Sequence, residues 1–291
     1  MLKDRLLTAA MALPLLVAAL VYLPRLFVCL IFLVAAGMST YELARMLYPA
    51  FCRKIYGSEN AAPDPDVRTW PLICALSTLL MFAVAVFVNI SGSERGGIIF
   101  VYCLVILMGT FSGKDINHSM IRMVVVLFSL SYACLPWLSI LDLYTKGSGA
   151  RYIFLLMGIV MSGDSAAYFV GRKFGRHRLA PRLSPKKTWE GVVGGVFASM
   201  VAAQLVNAFF LFQMGPWWLM ALIGATASIA GVMGDLVESA LKRFSEVKDS
   251  GGIFPGHGGI LDRVDSFLLS GPFVWIFLYA YEVYAVKGVA S

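Results

Sequence analysis

The sequence predicts an all-α, polytopic integral membrane protein, and three observations carry that reading. The 291-residue chain is 59% hydrophobic, has a mean hydropathy of +0.78 and is only 14% charged, whereas a soluble domain is nearer half apolar. Apolar runs close to the ~20 residues that a helix needs to cross a bilayer recur along its length. Its basic residues divide unevenly between alternate loops, as they do across a membrane with a cytoplasmic and an outer face.

The runs fall at roughly 6–23, 26–47, 71–90, 97–112, 120–141, 152–171, 191–212, 217–241 and 266–286, giving about nine spans in one membrane domain over 1–291. Lys3 and Arg5 before the first run imitate a signal peptide, but no small-residue cleavage site follows and a second run starts at once. The first run is therefore read as a retained span. Leu23-Pro24-Arg25 leaves almost no loop there, so an interfacial hairpin is the alternative. The 97–112 run is short. Residues 48–70, with their Pro-Asp-Pro-Asp stretch, read as a plain surface loop. The five cysteines are scattered, four of them inside apolar runs and none in a CxxC pair, and read as small buried apolar residues.

Nine spans put 19 of the 24 Lys and Arg on one face and five (Arg25, Arg95, Lys146, Arg151 and Lys287) on the other. The positive-inside rule makes the first face cytoplasmic, with the N-terminus inside and the C-terminus outside. The helices of 1–150 then read as a scaffold open to dimer contacts. Residues 151–291 carry the catalytic helices and cytoplasmic loops.

The chemistry gathers in that second part. Asp164 lies mid-span in VMSGDSAAYFVG. A charge inside a bilayer is costly and normally faces a cavity or a partner. Ser162, Gly163, Ser165, Ala166 and Ala167 around it permit close helix packing. Asp164 thus reads either as the lining of a polar cavity or as a structural hydrogen bond to a neighbouring helix. Asp235, Glu238 and Lys242 recur at i, i+3 and i+7 on one helix face, with Ser239 one turn after Asp235. That suits a hard divalent cation such as Mg²⁺, or a Glu238–Lys242 salt bridge at the interface. Asp262 and Asp265 repeat the i, i+3 spacing around Arg263.

Two acid pairs thus bracket a glycine-rich loop that contains Asp249, and Lys242, Arg243, Lys248 and Arg263 lie beside it. Gly251, Gly252, Gly256, Gly258 and Gly259 would let backbone N–H groups approach a phosphate. His257 could bind phosphate or act as acid or base. Metal-assisted phosphoryl or nucleotidyl transfer needs these parts. A second polar cluster, Ser184 to Thr188, opens a span where a helix N-terminus favours anions. Its alternative role is an anchor to acidic headgroups.

The run from Ser239 to Asp265, SALKRFSEVKDSGGIFPGHGGILDRVD, resembles the signature of phosphatidate cytidylyltransferases (CDP-diacylglycerol synthases) at every fixed position. Asp164-Ser-Ala-Ala-Tyr168 with Gly171 and Phe174-Gly175, Ser184 to Gly191, and Gly234-Asp235-x2-Glu238-Ser239 are similar to other recurring segments of that family. The likeness is specific over roughly 160–270. It departs at Gly163, where Ala or another residue would be expected.

The resemblance implies transfer of the cytidylyl group of CTP to phosphatidate, giving CDP-diacylglycerol and pyrophosphate. It also implies Mg²⁺ with a second cation such as K⁺ beside it, a homodimer, a bacterial inner-membrane setting and an active site facing the cytoplasm. The metal ligands it points to are Asp235 and Asp262. Lys242, Arg243, Lys248, His257 and Arg263 join them as the catalytic set. Substrate binding is assigned to Asp164, Ser184, Lys186, Lys187, Thr188, Glu238, Ser239, Asp249, Gly258, Gly259 and Asp265. No nucleic-acid partner is expected.

Three other classes share part of this pattern. A CTP-dependent kinase or nucleotidyltransferase acting on another membrane lipid shares the chemistry but not the full signature. An ion-coupled transporter would show paired repeats and broken helices in both halves, whereas the acids here cluster at one face. A CDP-alcohol phosphotransferase would need an Asp-Gly dipeptide, and the chain has none.

Overall fold

The computed structural model describes residues 14–15, 17–57, 66–87, 94–111, 116–145, 149–211, 214–252 and 258–289. Helices dominate, as the apolar runs require: in hydrocarbon every backbone N–H and C=O must be paired within the segment. In order they are α1 (Arg25–Tyr56), α2 (Asp66–Phe87), α3 (Glu94–Phe111), α4 (Ile116–Ser129), α5 (Leu135–Thr145), α6 (Ala150–Phe174), α7 (Trp189–Phe209), α8 (Trp217–Phe244) and α9 (Leu261–Val289). A π-helical turn, Leu130–Cys134, joins α4 to α5. Among the described residues seven helices are long and apolar enough to cross a membrane. At 18 residues α3 is about 27 Å long, just short of the ~30 Å hydrocarbon core.

Every expected run from the second onward meets a helix. Of the first run, 17–22 is helical and the rest lies mostly outside the described residues. The helices overrun the runs at their charged ends. α1 continues past residue 47 to Tyr56, stopping at Gly57, whose φ of 79° suits glycine and whose N–H caps the carbonyl of Arg53. The expected loop 48–70 therefore loses its first nine residues to α1.

The basic stretch before α7 folds into a short antiparallel hairpin, β1 (Arg178–Ala180) with β2 (Ser184–Thr188). His177 braces it, since its ring lies 2.7 Å from the Glu190 carboxylate and its carbonyl accepts from Trp189 N–H at 3.0 Å.

The chain forms two compact units. The first holds Met1–Leu138 with Leu241–Arg263, and the second Ser139–Ala240 with Val264–Ser291. The first unit has a mixed interior. Thr78 donates to Thr40 across α2 and α1 at 3.1 Å, Cys134 Sγ lies 3.6 Å from Met81 Sδ, and Phe32 packs on Trp137. Cys29, Cys52, Cys74 and Cys134 are buried free thiols, as expected, whereas Cys103 is exposed.

The second unit is knit by small residues. The helix α6 lies against α7 with Gly163, Ala167 and Gly195 at the crossing, and Ser199 donates to the carbonyl of Ile159 at 2.8 Å. Helices α8 and α9 meet the same way, with Ser270 donating to the carbonyl of Ala227 at 2.7 Å. Small residues let backbones approach and hydroxyls bond across helices.

The departure at Gly163 has its physical reason at this crossing. A Cβ there would stand 2.5 Å from Ser199 Oγ and 3.2 Å from Ser228 Oγ. Gly163→Ala is expected to destabilise the protein by about 1–3 kcal/mol. Adding Ser199→Ala, which removes the obstructing oxygen, should recover much of that loss. Thermal unfolding of the single and double variants measures both effects.

Candidate active site

In the first unit the site is built on the carboxylate of Asp262, in the first turn of α9. Its Oδ1 takes the Lys242 ammonium at 2.7 Å. Its Oδ2 accepts from Ser250 N–H at 2.8 Å, Ser250 Oγ at 2.9 Å and Gly259 N–H at 2.8 Å. The end of α8 thus supplies the cation, and both arms of the glycine-rich segment supply neutral donors. Gly258 has a φ of 80°, and a Cβ on it would strike the Asp262 carboxylate and touch the Asp249 side chain. Glycine is required there for both reasons. From the sequence, these glycines are expected to admit a phosphate. Gly259 N–H in fact points at Asp262.

The start of the segment is held by α1. Arg53 donates to the carbonyl of Ser245 at 3.1 Å, Lys54 lies 3.7 Å from Glu246, and Phe51 packs on Phe244. Arg243, Lys248, Asp249 and Arg263 are exposed. His257, Gly256, Pro255 and Phe254 lie outside the described residues.

Glu42, which the sequence reading passed over, is the most deeply placed acid of this cluster. It sits in the middle of α1 and is only 3% exposed. It accepts from Ile260 N–H at 3.1 Å and Leu261 N–H at 2.9 Å, and lies 3.0 Å from the Ser250 hydroxyl, whose single proton it shares with Asp262. The signal was available: a lone carboxylate inside an apolar span is a functional candidate by position alone.

The second unit holds a separate acidic group. Asp235 Oδ2 pairs with Lys187 Nζ at 2.7 Å, and Ser239 donates to its Oδ1 at 3.3 Å. Lys187 also donates to the carbonyl of Val232 at 3.4 Å. Lys187 comes from β2 and Asp235 from α8, so the hairpin that hydropathy misses delivers the lysine. Asp164 is hydrogen-bonded by Ser266, within electrostatic reach of Asp235 and Lys187. Asp265 lies against Glu238, which is fully buried, and within reach of Asp235 and Asp164. Asp164 thus has a bonded partner in Ser266 and two charged neighbours in Asp235 and Lys187.

Thr188 is the N-cap of α7 and accepts from Gly191 N–H at 3.2 Å. It is buried, and its role in the structure is a cap. Lys186 is exposed and Ser184 begins β2.

The two acids expected to hold Mg²⁺ thus share one feature. Asp235 and Asp262 each carry an ammonium 2.7 Å from one carboxylate oxygen. Both carboxylates are hard oxygen donors of the kind Mg²⁺ takes, and Mg²⁺ there would share or displace the ammonium now on each. Among the described residues, no three His, Cys, Asp or Glu side chains converge as a self-sufficient metal cage. Mg²⁺ does not need one, since it usually takes one or two carboxylates, waters and substrate phosphates.

A polytopic helical membrane protein with an acid–lysine pair in each unit and a glycine-rich segment in the first is the class these features define. The chain belongs to the cytidylyltransferase family, whose sequence model matches residues 3–281. It is 48% identical over 130 residues to a phosphatidate cytidylyltransferase of Bacillus subtilis, covering 45% of this chain and 48% of that protein. Against the phosphatidate cytidylyltransferase of Staphylococcus saprophyticus it is 41% identical over 152 residues, 52% of this chain and 57% of that protein. Against that of Staphylococcus aureus strain COL it is 46% identical over 136 residues. The chain spans about half the length of these curated relatives.

Proposed function

We propose that this protein transfers the cytidylyl group of CTP to phosphatidate, releasing pyrophosphate and leaving CDP-diacylglycerol in the membrane. The observation that carries the reading is the Ser239–Asp265 segment, whose complete signature occurs in a chain of the cytidylyltransferase family. A phosphate oxygen of phosphatidate attacks the α-phosphorus of CTP. The new P–O bond forms as the bond to the β-phosphate oxygen breaks, and the electron pair leaves on pyrophosphate. The attacking oxygen is already anionic, so no strong base is needed, and the protein's task is to align two polyanions and neutralise charge.

Asp235 and Asp262 are the residues we assign to Mg²⁺, which when bound supplies positive charge to the triphosphate and the leaving pyrophosphate. A second cation such as K⁺ belongs to the same assignment. Lys187 and Lys242, each already on a carboxylate, and the exposed Arg243, Lys248 and Arg263 supply the remaining charge. Lys186 and Ser184 join them at the substrate phosphates, and Asp164 lines the approach of the lipid headgroup. We place the active site at the cytoplasmic face on the loop charge asymmetry, and the bacterial inner-membrane setting and the homodimer on the family resemblance.

Label position tests this against the kinase alternative. With CTP labelled at the α-phosphorus, label should pass to the lipid; with γ-label, it should leave with pyrophosphate. Label from the γ-position appearing in lipid would replace the proposal with phosphoryl transfer. For His257→Ala we expect slowed but measurable turnover, about 10-fold or more down, within the range of general acid–base contributions. A pH–rate profile indistinguishable from wild type would reduce His257 to a loop-shape residue.

A further inference from the structure

We propose that Glu42 is a positioning residue for the signature segment, acting through Ser250 and the first turn of α9 to fix the carboxylate of Asp262. Three observations converge on it. Its carboxylate receives the N–H groups of Ile260 and Leu261, from residues 218 and 219 positions away in sequence. Those are among the donors that a helix leaves unpaired at its start, and an anion there also meets the positive end of the helix dipole. Ser250 Oγ lies 3.0 Å from Glu42 Oε2 and 2.9 Å from Asp262 Oδ2, so one hydroxyl proton is shared between the two carboxylates. The backbone comes right up to the carboxylate: a Cβ at Gly251 or Gly259 would run into the Glu42 side chain.

Glu42 therefore ties both arms of the segment, 250–251 and 259–261, to the middle of α1. The order is Glu42, then Ser250, then Asp262, and the last of these holds Lys242. A neutral amide cannot replace the acid. Both Glu42 oxygens face N–H donors, so in either orientation Gln would turn its NH₂ toward one of them. The glycines at 251 and 259, taken from the sequence as room for a phosphate, leave room for this carboxylate.

The test uses the purified full-length chain and two readouts. For Glu42→Gln, amide hydrogen exchange across 259–262 should speed up at least about tenfold, since hydrogen bonds to a charged group are lost. Exchange in α6 and α7 should stay as in wild type. In the same sample kcat for CDP-lipid formation should fall about 10²-fold, the cost of a small misplacement of catalytic groups, with KM for CTP changed less than about threefold. Ser250→Ala, which removes only the bridging hydroxyl, should show the same pattern more weakly, and the double variant should lose less than the two single losses combined.

Unchanged exchange at 259–262 in both variants would overturn the clamp. Faster exchange with wild-type kcat would overturn the positioning role. The activity readout rests on the proposed reaction. If wild-type protein makes no CDP-lipid, that reading fails, and the exchange readout still decides the clamp.

Discussion

Asp235→Asn should reduce CDP-lipid formation by about 10³-fold, the scale on which losing one well-placed electrostatic group acts, and leave the fold nearly untouched. The two halves of this expectation come from different features. Asp235 is one of the two acids assigned to Mg²⁺, so the amide removes both the negative charge and a hard oxygen ligand. Its present partners are few and partly exposed: Lys187, 22% exposed against 34% for Asp235, and the Ser239 hydroxyl at 3.3 Å. A partly exposed pair contributes at most about 1 kcal/mol, so the thermal midpoint should scarcely move. The measurement is steady-state turnover of purified variant and wild type over a Mg²⁺ titration, with Tm recorded alongside. Near-normal turnover at ordinary Mg²⁺ would remove Asp235 from the metal.

Asp262→Asn should be as inactive and, unlike Asp235→Asn, clearly less stable. The Asp262 side chain is 8% exposed and its two oxygens satisfy one ammonium and three neutral donors. An amide cannot serve both sets. Turned one way it leaves Lys242 facing NH₂; turned the other it sets NH₂ against Ser250 and Gly259 N–H. Breaking a buried pair by removing one partner costs about 3–5 kcal/mol, and the retained amide oxygen should hold the loss near the lower end. Thermal unfolding of the two Asp→Asn variants side by side reads the difference directly. Equal Tm for both would mean that the Asp262 network contributes nothing to the fold.

This contrast also shows what a single sequence can and cannot disclose. Hydropathy located the helices because it reports the bilayer core, and 217–241 became Trp217–Phe244 with the same start. It placed helix ends poorly. The last turns of α1 carry Arg53 and Lys54, and α9 begins with Leu261-Asp262-Arg263, so helices continue where apolarity stops. The hairpin 178–188 went unseen because strands of three and five residues, with Pro181 and Pro185 nearby, show no alternation to read.

For the site, spacing found the acids, and i, i+3 recurrence put them on helix faces. Partners were another matter. Lys242 was matched by periodicity with Glu238, yet Asp262, 20 residues on, takes its ammonium at 2.7 Å. Lys187 reads from the sequence only as part of an anion-favouring cluster, and its ammonium sits 2.7 Å from Asp235. Glu42 was invisible as a member of the cluster, since nothing in an apolar helix near the N-terminus announces contact with residue 260. Such pairings arise from the tertiary fold, and local pattern carries no record of them.

We assign nucleotidyl transfer between two phosphates to Asp235, Asp262, Lys187 and Lys242. Purified protein, phosphatidate, CTP and Mg²⁺ in one vessel test it most directly, with pyrophosphate and CDP-lipid counted together. One pyrophosphate is expected for each CDP-lipid, with both lost on Mg²⁺ chelation and in Asp235→Asn. Pyrophosphate without CDP-lipid, or no product from phosphatidate under any condition, would contradict it.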